Sequence, residues 1–151
     1  MSHGVSDSIA VARQILGPRA QPDVNLGAMT TYRVGGHAAL HLIANNQEDL
    51  CKVREAKNEA ELPVLVIGKG SNLLVADEGF KGIVVSLGSD FSSTKFDQSS
   101  GKVEVGGKVA LPTLARRCVA EGLSGFEWAV GVPGSVGGAV RMNAGGHGSD
   151  M

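Results

Sequence analysis

Apolar residues recur at helical spacing in three stretches of the chain. The first helix is predicted over residues 6–16, where Ser6 is the candidate N-cap and Gly17-Pro18 ends the pattern. A second helix is predicted over residues 47–60, after the N-cap candidate Asn46. A third is predicted over residues 110–121, with an inner face made of Leu111, Leu114, Ala115, Cys118 and Val119.

Shorter apolar runs predict β-strands over residues 38–44, 64–67, 73–76, 83–87 and 102–105. The strands at 38–44 and 64–67 flank the second helix, which is the pattern of a parallel β-α-β unit. Between these elements, residues 19–28 are predicted as a polar loop and residues 31–36 as a turn. Residues 88–101 are rich in Ser, Asp and Lys and are predicted as a loop or a boundary between two lobes.

Glycine is the one unusual component of the composition. The chain holds 22 glycines in 151 residues, about twice the usual share of roughly 7%. They show no G-X-Y period, and they are spread through apolar sequence, so a collagen-like or disordered chain is excluded. Many positions therefore require backbone without a side chain.

Charge and cysteine content exclude several classes of function. The net charge is −1, and no basic stripe of the kind that binds nucleic acid is present. Cys51 and Cys118 lie in predicted helices, and we expect both to be buried thiols in a reducing compartment. No clustered Cys/His spacing predicts a metal site. There is no apolar run long enough for a membrane span and no secretory signal in residues 1–5, so we expect a cytoplasmic protein.

The first candidate site is the loop Gly68-Lys69-Gly70-Ser71-Asn72, which follows the strand at 64–67 directly. Bare glycines allow backbone N–H groups to converge on an anion, and the last two side chains can hydrogen-bond phosphate or ribose oxygens. A tight β-turn without a ligand explains this loop equally well when it is taken alone.

The second candidate site lies in the Gly-rich segment 131–145. Residues 135–142 are predicted to form one or two helical turns, with free N–H groups exposed at 134–138 as an anion site. The alternative is a glycine-rich packing corner. Neither loop matches a standard fingerprint, because Leu73 stands where a Rossmann motif needs its third glycine and no P-loop Gly-Lys-Ser/Thr is present. A diphosphate held by two separate loops fits better.

Catalytic groups are scarce in this sequence, and no catalytic residue is assigned. Glu127, Arg141 and His147 lie near the second loop and could polarise a ligand, but surface ion pairs or solvated side chains explain the first two as well. Phe126 and Trp128 are interpreted as core residues or as a shelf for a ring.

Three segments of the chain carry a family resemblance. They are T-T-Y-R-V-G-G at 30–36, V-L-V-I-G-K-G-S-N-L-L-V-A-D-E-G-F at 64–80 and G-L-S-G-F-E-W-A-V-G-V-P-G-S-V-G-G-A-V-R-M-N-A-G at 122–145. In order and spacing they resemble the UDP-N-acetylenolpyruvoylglucosamine reductase (UDP-N-acetylmuramate dehydrogenase) family. The resemblance covers nearly the whole chain from residue 25 onward.

The resemblance implies an FAD-binding domain of the vanillyl-alcohol-oxidase-like (PCMH) type, with two α+β lobes and the flavin between them. It implies an N-terminal helix and linker at 1–24, a first lobe at 25–88 and an incomplete second lobe at 89–151. Members of the family are longer and carry a substrate-binding domain and active-site residues that this chain lacks, so we expect a truncated protein with little turnover of its own. The family uses NADPH and FAD to reduce a small-molecule UDP-sugar, UDP-N-acetylglucosamine enolpyruvate, to a peptidoglycan precursor in the cytoplasm.

The resemblance also assigns FAD-binding residues by position. The first set would surround the diphosphate and ribityl chain, and consists of Gly68, Lys69, Gly70, Ser71, Asn72 and Leu73. The second set would contact the flavin, and consists of Pro133, Gly134, Ser135, Gly138, Ala139, Asn143, Ala144 and Gly145. The chain departs from the family at Lys69, where Gly or Asn is common, and at His147, where Tyr is common.

Two alternatives remain open at this point. One is another FAD-linked oxidase or dehydrogenase of the same fold, and the other is a non-catalytic nucleotide-binding module. No nucleic-acid or membrane partner is expected, and the oligomeric state stays open.

Overall fold

Two compact units, Met1–Gly88 and Ser89–Met151, make up the computed structural model, which describes residues 4–151. The first three residues of the predicted N-terminal segment lie outside the described residues. Each unit has its own apolar core and its own β-structure.

The first unit is built on a four-stranded sheet. Its elements are helix α1 (Val5–Leu16), strands β1 (Gln21–Asn25) and β2 (His37–Ala44), helix α2 (Gln47–Glu59), and strands β3 (Val64–Ile67) and β4 (Phe80–Leu87). The strand order is β1-β2-β4-β3; β1 runs antiparallel to β2, whereas β2, β4 and β3 are parallel. The predicted β-α-β unit is therefore confirmed, with β4 inserted between its two strands.

Two apolar clusters lie in this unit. One cluster joins α1 and α2 to residues of β2 and β4, including the fully buried Leu40 and Ile83. A second cluster holds Leu26, Ile67 and Val84. On strand β2 the interior His41 accepts or donates a hydrogen bond at Nε2 to Ser86 Oγ, 3.0 Å away, and burial lowers its pKa.

The start of α2 is fixed by charges and caps. Asn46 accepts a hydrogen bond from the backbone N–H of Asp49 (2.9 Å), which confirms the predicted cap. The buried Asp49 carboxylate accepts the backbone N–H of Asn45 (2.8 Å) and binds the guanidinium of Arg19 through two nitrogens. The hydrogen bond from Arg19 lowers the pKa of Asp49 to about 2.

The second unit holds two β-hairpins and two α-helices. Its elements are β5 (Thr94–Asp97) and β6 (Lys102–Val105), helix α3 (Leu111–Ala120), helix α4 (Val136–Met142), and a short hairpin of β7 (Gly145–Gly146) and β8 (Ser149–Asp150). Short 3₁₀ helices span Gly27–Met29 in the first unit, and Ser89–Ser92 and Glu127–Gly131 in the second. The core packs the inner face of α3 against Ala129, Val136 and Ala139.

Three predictions of secondary structure were wrong because strand pairing is decided by distant partners. Residues 21–25, predicted as loop, form an edge strand on β2, where Pro22 is tolerated. Residues 94–97, also predicted as loop, pair with β6. Residues 73–76, predicted as a strand, belong to no sheet; their apolar pattern is explained by Val75, which is buried in the core beneath Gly35.

Three smaller predictions were also wrong. Helix α1 begins at Val5 with Gly4 at the N-cap, so Ser6 is not the cap. Val119 lies 58% exposed, outside the inner face of α3. Cys51 is exposed, whereas Cys118 is buried as predicted, and burial raises the pKa of the Cys118 thiol. In the described part of the chain, no helix is long and apolar enough to cross a membrane.

Candidate functional site

The glycine loop after β3 is shaped around Gly70. This residue has φ +65°, in the left-handed region that favours glycine. A Cβ atom at this position would lie 2.8 Å from Thr30 Cα and closer still to the carbonyl oxygen of Met29. The loop therefore takes this path only because residue 70 has no side chain.

The wall behind the loop is the 3₁₀ turn at Gly27–Met29 and the residues that follow it. The backbone N–H of Thr31 donates to the carbonyl oxygen of Gly70 (3.0 Å). Thr30 is buried, and its hydroxyl donates to the Gly27 carbonyl (3.2 Å). Asn25 Oδ1 accepts the N–H of Ala28 (3.1 Å) and secures the entry to the turn. The backbone N–H groups of residues 28–30 are thus bonded within the wall, and the N–H of Thr31 makes the hydrogen bond that holds the loop.

Hydrogen-bond donors in the loop are left for a ligand. Among residues 4–151, the backbone N–H groups of Lys69 and Gly70 have no hydrogen-bond acceptor. The Lys69 side chain is exposed. The loop also follows the carboxyl end of a parallel strand, the edge where α/β sheets bind ligands. This arrangement suits an anion, as expected from the sequence. Cofactor contact stays a prediction for the whole set, which consists of Gly68, Lys69, Gly70, Ser71, Asn72 and Leu73.

Beside this loop lies a depression of about 380 Å³. It is lined by Ala28, Met29, Thr30, Thr31, Arg33 and Lys69. Arg33 was not among the predicted site residues, although it stands in the T-T-Y-R-V-G-G motif. The signal that could have singled it out is a basic residue beside a Gly pair, in a segment that the sequence showed only as a turn.

The second glycine segment begins with the cap of α4. Ser135 Oγ accepts the backbone N–H of Gly138 (3.3 Å), which confirms the predicted helical turns and their N-terminus. The N–H of Val136 donates to the Val109 carbonyl (2.8 Å) and that of Gly137 to the Gly107 carbonyl (2.9 Å). The expectation of free N–H groups over 134–138 was therefore wrong at residues 136–138, since all three amides are used within the unit.

After α4 the chain turns back on itself. Asn143 has φ +46° at the helix C-cap, and the N–H of Ala144 donates to the Ala139 carbonyl (2.9 Å). Gly145 opens the β7–β8 hairpin, where a Cβ would lie 2.8 Å from the Ser149 carbonyl oxygen. His147 and Gly148 both have positive φ and form its two-residue turn. Contact of Pro133, Gly134, Ser135, Gly138, Ala139, Asn143, Ala144 and Gly145 with the flavin stays a prediction.

One of the candidate polar groups near this segment, Glu127, has a partner within its own unit. Glu127 accepts the backbone N–H of Gly125 (2.8 Å), while Arg141 is exposed. The Phe126 and Trp128 rings meet edge to face, with centroids 5.3 Å apart, and pack on the apolar core of the unit. In the described ranges, no group of three or more His, Cys, Asp or Glu side chains could hold a metal ion.

An α+β chain with a glycine loop at the carboxyl end of a parallel strand has the form of a nucleotide-cofactor-binding domain. Its residues 38–151 match the family model of the FAD binding domain. The chain belongs to this FAD binding domain family, so the predicted fold class and FAD as cofactor are confirmed.

Relatives and a solved structure narrow the comparison. The chain is 45% identical over 122 residues to the UDP-N-acetylenolpyruvoylglucosamine reductase of Bacillus velezensis. These aligned residues are 81% of this chain and 40% of that protein. The reductase of Heliobacterium modesticaldum is 46% identical over 122 residues, 81% of this chain and 38% of that protein. The crystal structure of the Thermus caldophilus UDP-N-acetylenolpyruvylglucosamine reductase superposes with a TM-score of 0.72 at 39% identity, covering 88% of this chain and 45% of that one.

These similarities confirm the resemblance drawn from the three sequence motifs. The chain spans about two fifths of the length of the curated relatives that it matches.

Proposed function

We propose that this chain is the FAD-binding part of an enzyme that reduces UDP-N-acetylglucosamine enolpyruvate to UDP-N-acetylmuramate with NADPH, in cytoplasmic synthesis of a peptidoglycan precursor. The observation that supports this most is the Gly70 cradle. It sits in a chain of the FAD binding domain family that is 45% identical to a UDP-N-acetylenolpyruvoylglucosamine reductase.

The first loop holds the diphosphate of FAD in this proposal. Gly70 brings the backbone close to the ligand, and the N–H groups of Lys69 and Gly70 donate to phosphate oxygens. Ser71 and Asn72 add side-chain hydrogen bonds to the diphosphate or the adjoining ribityl chain, and Gly68 and Leu73 complete the loop. The residues fit the cofactor because the loop offers donors, and no acidic side chain lies between residues 68 and 73.

The second segment contacts the flavin through a preformed surface. Pro133, Gly134 and Ser135 lead into α4, Gly138 and Ala139 lie in its first turns, and Asn143, Ala144 and Gly145 follow its end. Because the first-turn amides of α4 are already bonded, this segment contributes shape and a fixed backbone rather than a free anion site. Bound FAD supplies the capacity to accept hydride from NADPH and to pass it to the enolpyruvyl group.

The experiment is an exchange of segments. The matching region of the Bacillus velezensis reductase is replaced by residues 25–151 of this chain, and FAD content and NADPH oxidation with the enolpyruvyl substrate are measured. We expect a yellow protein with substrate-dependent NADPH oxidation, while the 151-residue chain alone binds FAD with little turnover. A chimera that binds FAD and oxidises NADPH only with a different substrate would favour another FAD-linked dehydrogenase. A chimera that binds a redox-silent flavin would favour a nucleotide-binding module.

A further inference from the structure

The sheet of the first unit ends in two edge strands that differ in chemistry. In the described part of the chain, β1 forms one edge of this sheet and β3 forms the other. Edge strands expose unpaired N–H and C=O groups, and proteins protect them with charged residues, proline or distorted backbone. Strand β1 is protected in this way, because it contains Pro22 and Asp23, and Asp23 departs from extended backbone at φ +55°.

Strand β3 carries none of these protections. Its four residues, V-L-V-I, include no charge and no proline, and its register with β4 runs without a shift. Val66 in this strand is 60% exposed. A regular apolar edge of this kind is the arrangement to which a further strand adds.

The hydrogen bonds to β4 show which groups of β3 face outward. The N–H of Ile83 in β4 donates to the carbonyl oxygen of Pro63 (2.9 Å). Because the bonding groups of a strand alternate between its two sides, Pro63 and Leu65 face β4. The N–H and C=O groups of Val64 and Val66 therefore face the open edge. Pro63, which has no N–H, leaves that edge unblocked.

The two outward residues make the edge self-complementary. An antiparallel second copy that uses both of them places Val64 opposite Val66 of that copy, with two hydrogen bonds at each such pair. Val64 packs on the cluster that joins α1 and α2, and Val66 points to the same face, so the valines meet across the strands. Leu65 then lies opposite Leu65 of the second copy, on the two-fold axis.

Charges at the two ends of β3 favour the same arrangement. The nearest charged residues before the strand are Glu59 and Glu61, and the nearest after it is Lys69; all three are exposed. Antiparallel pairing brings the acidic end of one copy to the basic end of the other, whereas parallel pairing would join like charges. A second copy thus complements the edge in hydrogen bonds, apolar side chains and charge.

We propose that β3 is an interaction surface at which two copies of this chain pair antiparallel and continue one sheet into the other. The pairing satisfies the outward groups of Val64 and Val66 and covers the exposed Val66 side chain. The contact is short, so we expect a weak dimer with a dissociation constant on the order of 100 µM. The inference is independent of the proposed function, since it involves neither FAD nor a substrate.

Sedimentation of the 151-residue chain, from about 10 µM to about 1 mM, tests the surface. Val66→Lys places a charge at the edge, and Val66→Pro removes an outward N–H without removing a bond to β4. Ile43→Lys is the matched control, because Ile43 is 50% exposed on β2, a strand that is paired on both sides. We expect both Val66 variants to weaken the dimer at least tenfold and the control to behave like the wild type.

A disulfide at residue 65 tests the register. In a Cys51→Ser background, which removes the exposed native thiol, Leu65→Cys faces its own copy with about 4.5 Å between the Cα atoms, within reach of a disulfide. Val66→Cys is the control, because its Cα lies about 8–9 Å from its own copy in this register. We expect mild oxidation to give a covalent dimer with Leu65→Cys and mainly monomer with Val66→Cys, although residue 66 is the more exposed.

Three results would overturn the inference. A wild type that stays monomeric at about 1 mM would assign the edge to a different occupant. Equal loss of association in Ile43→Lys and Val66→Lys would show unspecific apolar contact. Cross-linking at residue 66 that is as fast as at residue 65 would reject the register. Thermal unfolding is recorded for every variant, and if Val66→Pro does not fold, Val66→Lys decides the outcome.

Discussion

Replacing Gly70 by alanine tests whether the bare backbone of the first loop makes the FAD site. The substitution forces a side chain into a left-handed residue (φ +65°), which costs about 1–2 kcal/mol. The new Cβ would also lie 2.8 Å from Thr30 Cα and closer to the Met29 carbonyl oxygen. Because both neighbours are backbone atoms that cannot rotate away, the overlap adds about 1–3 kcal/mol or displaces the loop.

Gly101→Ala is the matched control for this change. Gly101 has nearly the same backbone conformation (φ +69°), but a Cβ there meets nothing within 4 Å. The control therefore includes the conformational cost of about 1–2 kcal/mol without the overlap. The difference between the two variants isolates the steric cradle.

FAD binding and urea unfolding are measured for both variants and the wild type. We expect Gly101→Ala to bind FAD like the wild type, while Gly70→Ala loses at least tenfold in affinity. Its free energy of unfolding should also fall by more than that of the control, unless the loop relaxes by moving away from Thr30. A Gly70→Ala protein that matches the control in both FAD affinity and stability would show that the contacts of Gly70 with Met29 and Thr30 do not shape the FAD site.

Three further predictions concern the framework. Arg19 lowers the pKa of Asp49 from 3.8 to about 2. The pair therefore stabilises the fold fully above pH 3.8 and loses its effect as the pH falls toward 2. The difference in the free energy of unfolding between the wild type and Asp49→Asn, measured in urea, should shrink over that range, and a constant difference would contradict the pairing. Ser135→Ala removes the cap of α4 and should lower the free energy of unfolding in urea by about 1 kcal/mol. A variant as stable as the wild type would contradict this prediction. A thiol reagent should modify Cys51 in the native chain but reach Cys118 only after unfolding. Two equally fast thiols would show that α3, which holds Cys118, is not packed as described.

Local chemistry explains which elements the sequence predicts. The Asn46 cap depends on residues within three positions, so the start of α2 is readable from sequence alone. The loop after β3 is readable because glycine marks positions that need bare backbone, and the structure gives the reason at Gly70.

Other features depend on partners far along the chain. Strand β1 exists because it pairs with β2, and no alternation in residues 21–25 signals this. The amides at the start of α4 are taken by carbonyl groups of Gly107 and Val109, more than 25 positions away. Arg33 enters the candidate site because the 27–33 segment meets the glycine loop, a contact that spacing cannot show.

If the glycine loop and the α4 segment are the FAD site, this chain binds FAD through its diphosphate as well as its flavin. Titration of the chain with FAD and with riboflavin, followed by flavin fluorescence, tests it most directly. We expect saturable binding of one FAD per chain, with riboflavin bound at least tenfold more weakly because it lacks the ADP part, diphosphate included. Equal affinity for the two flavins, or no saturable binding of FAD, would contradict it.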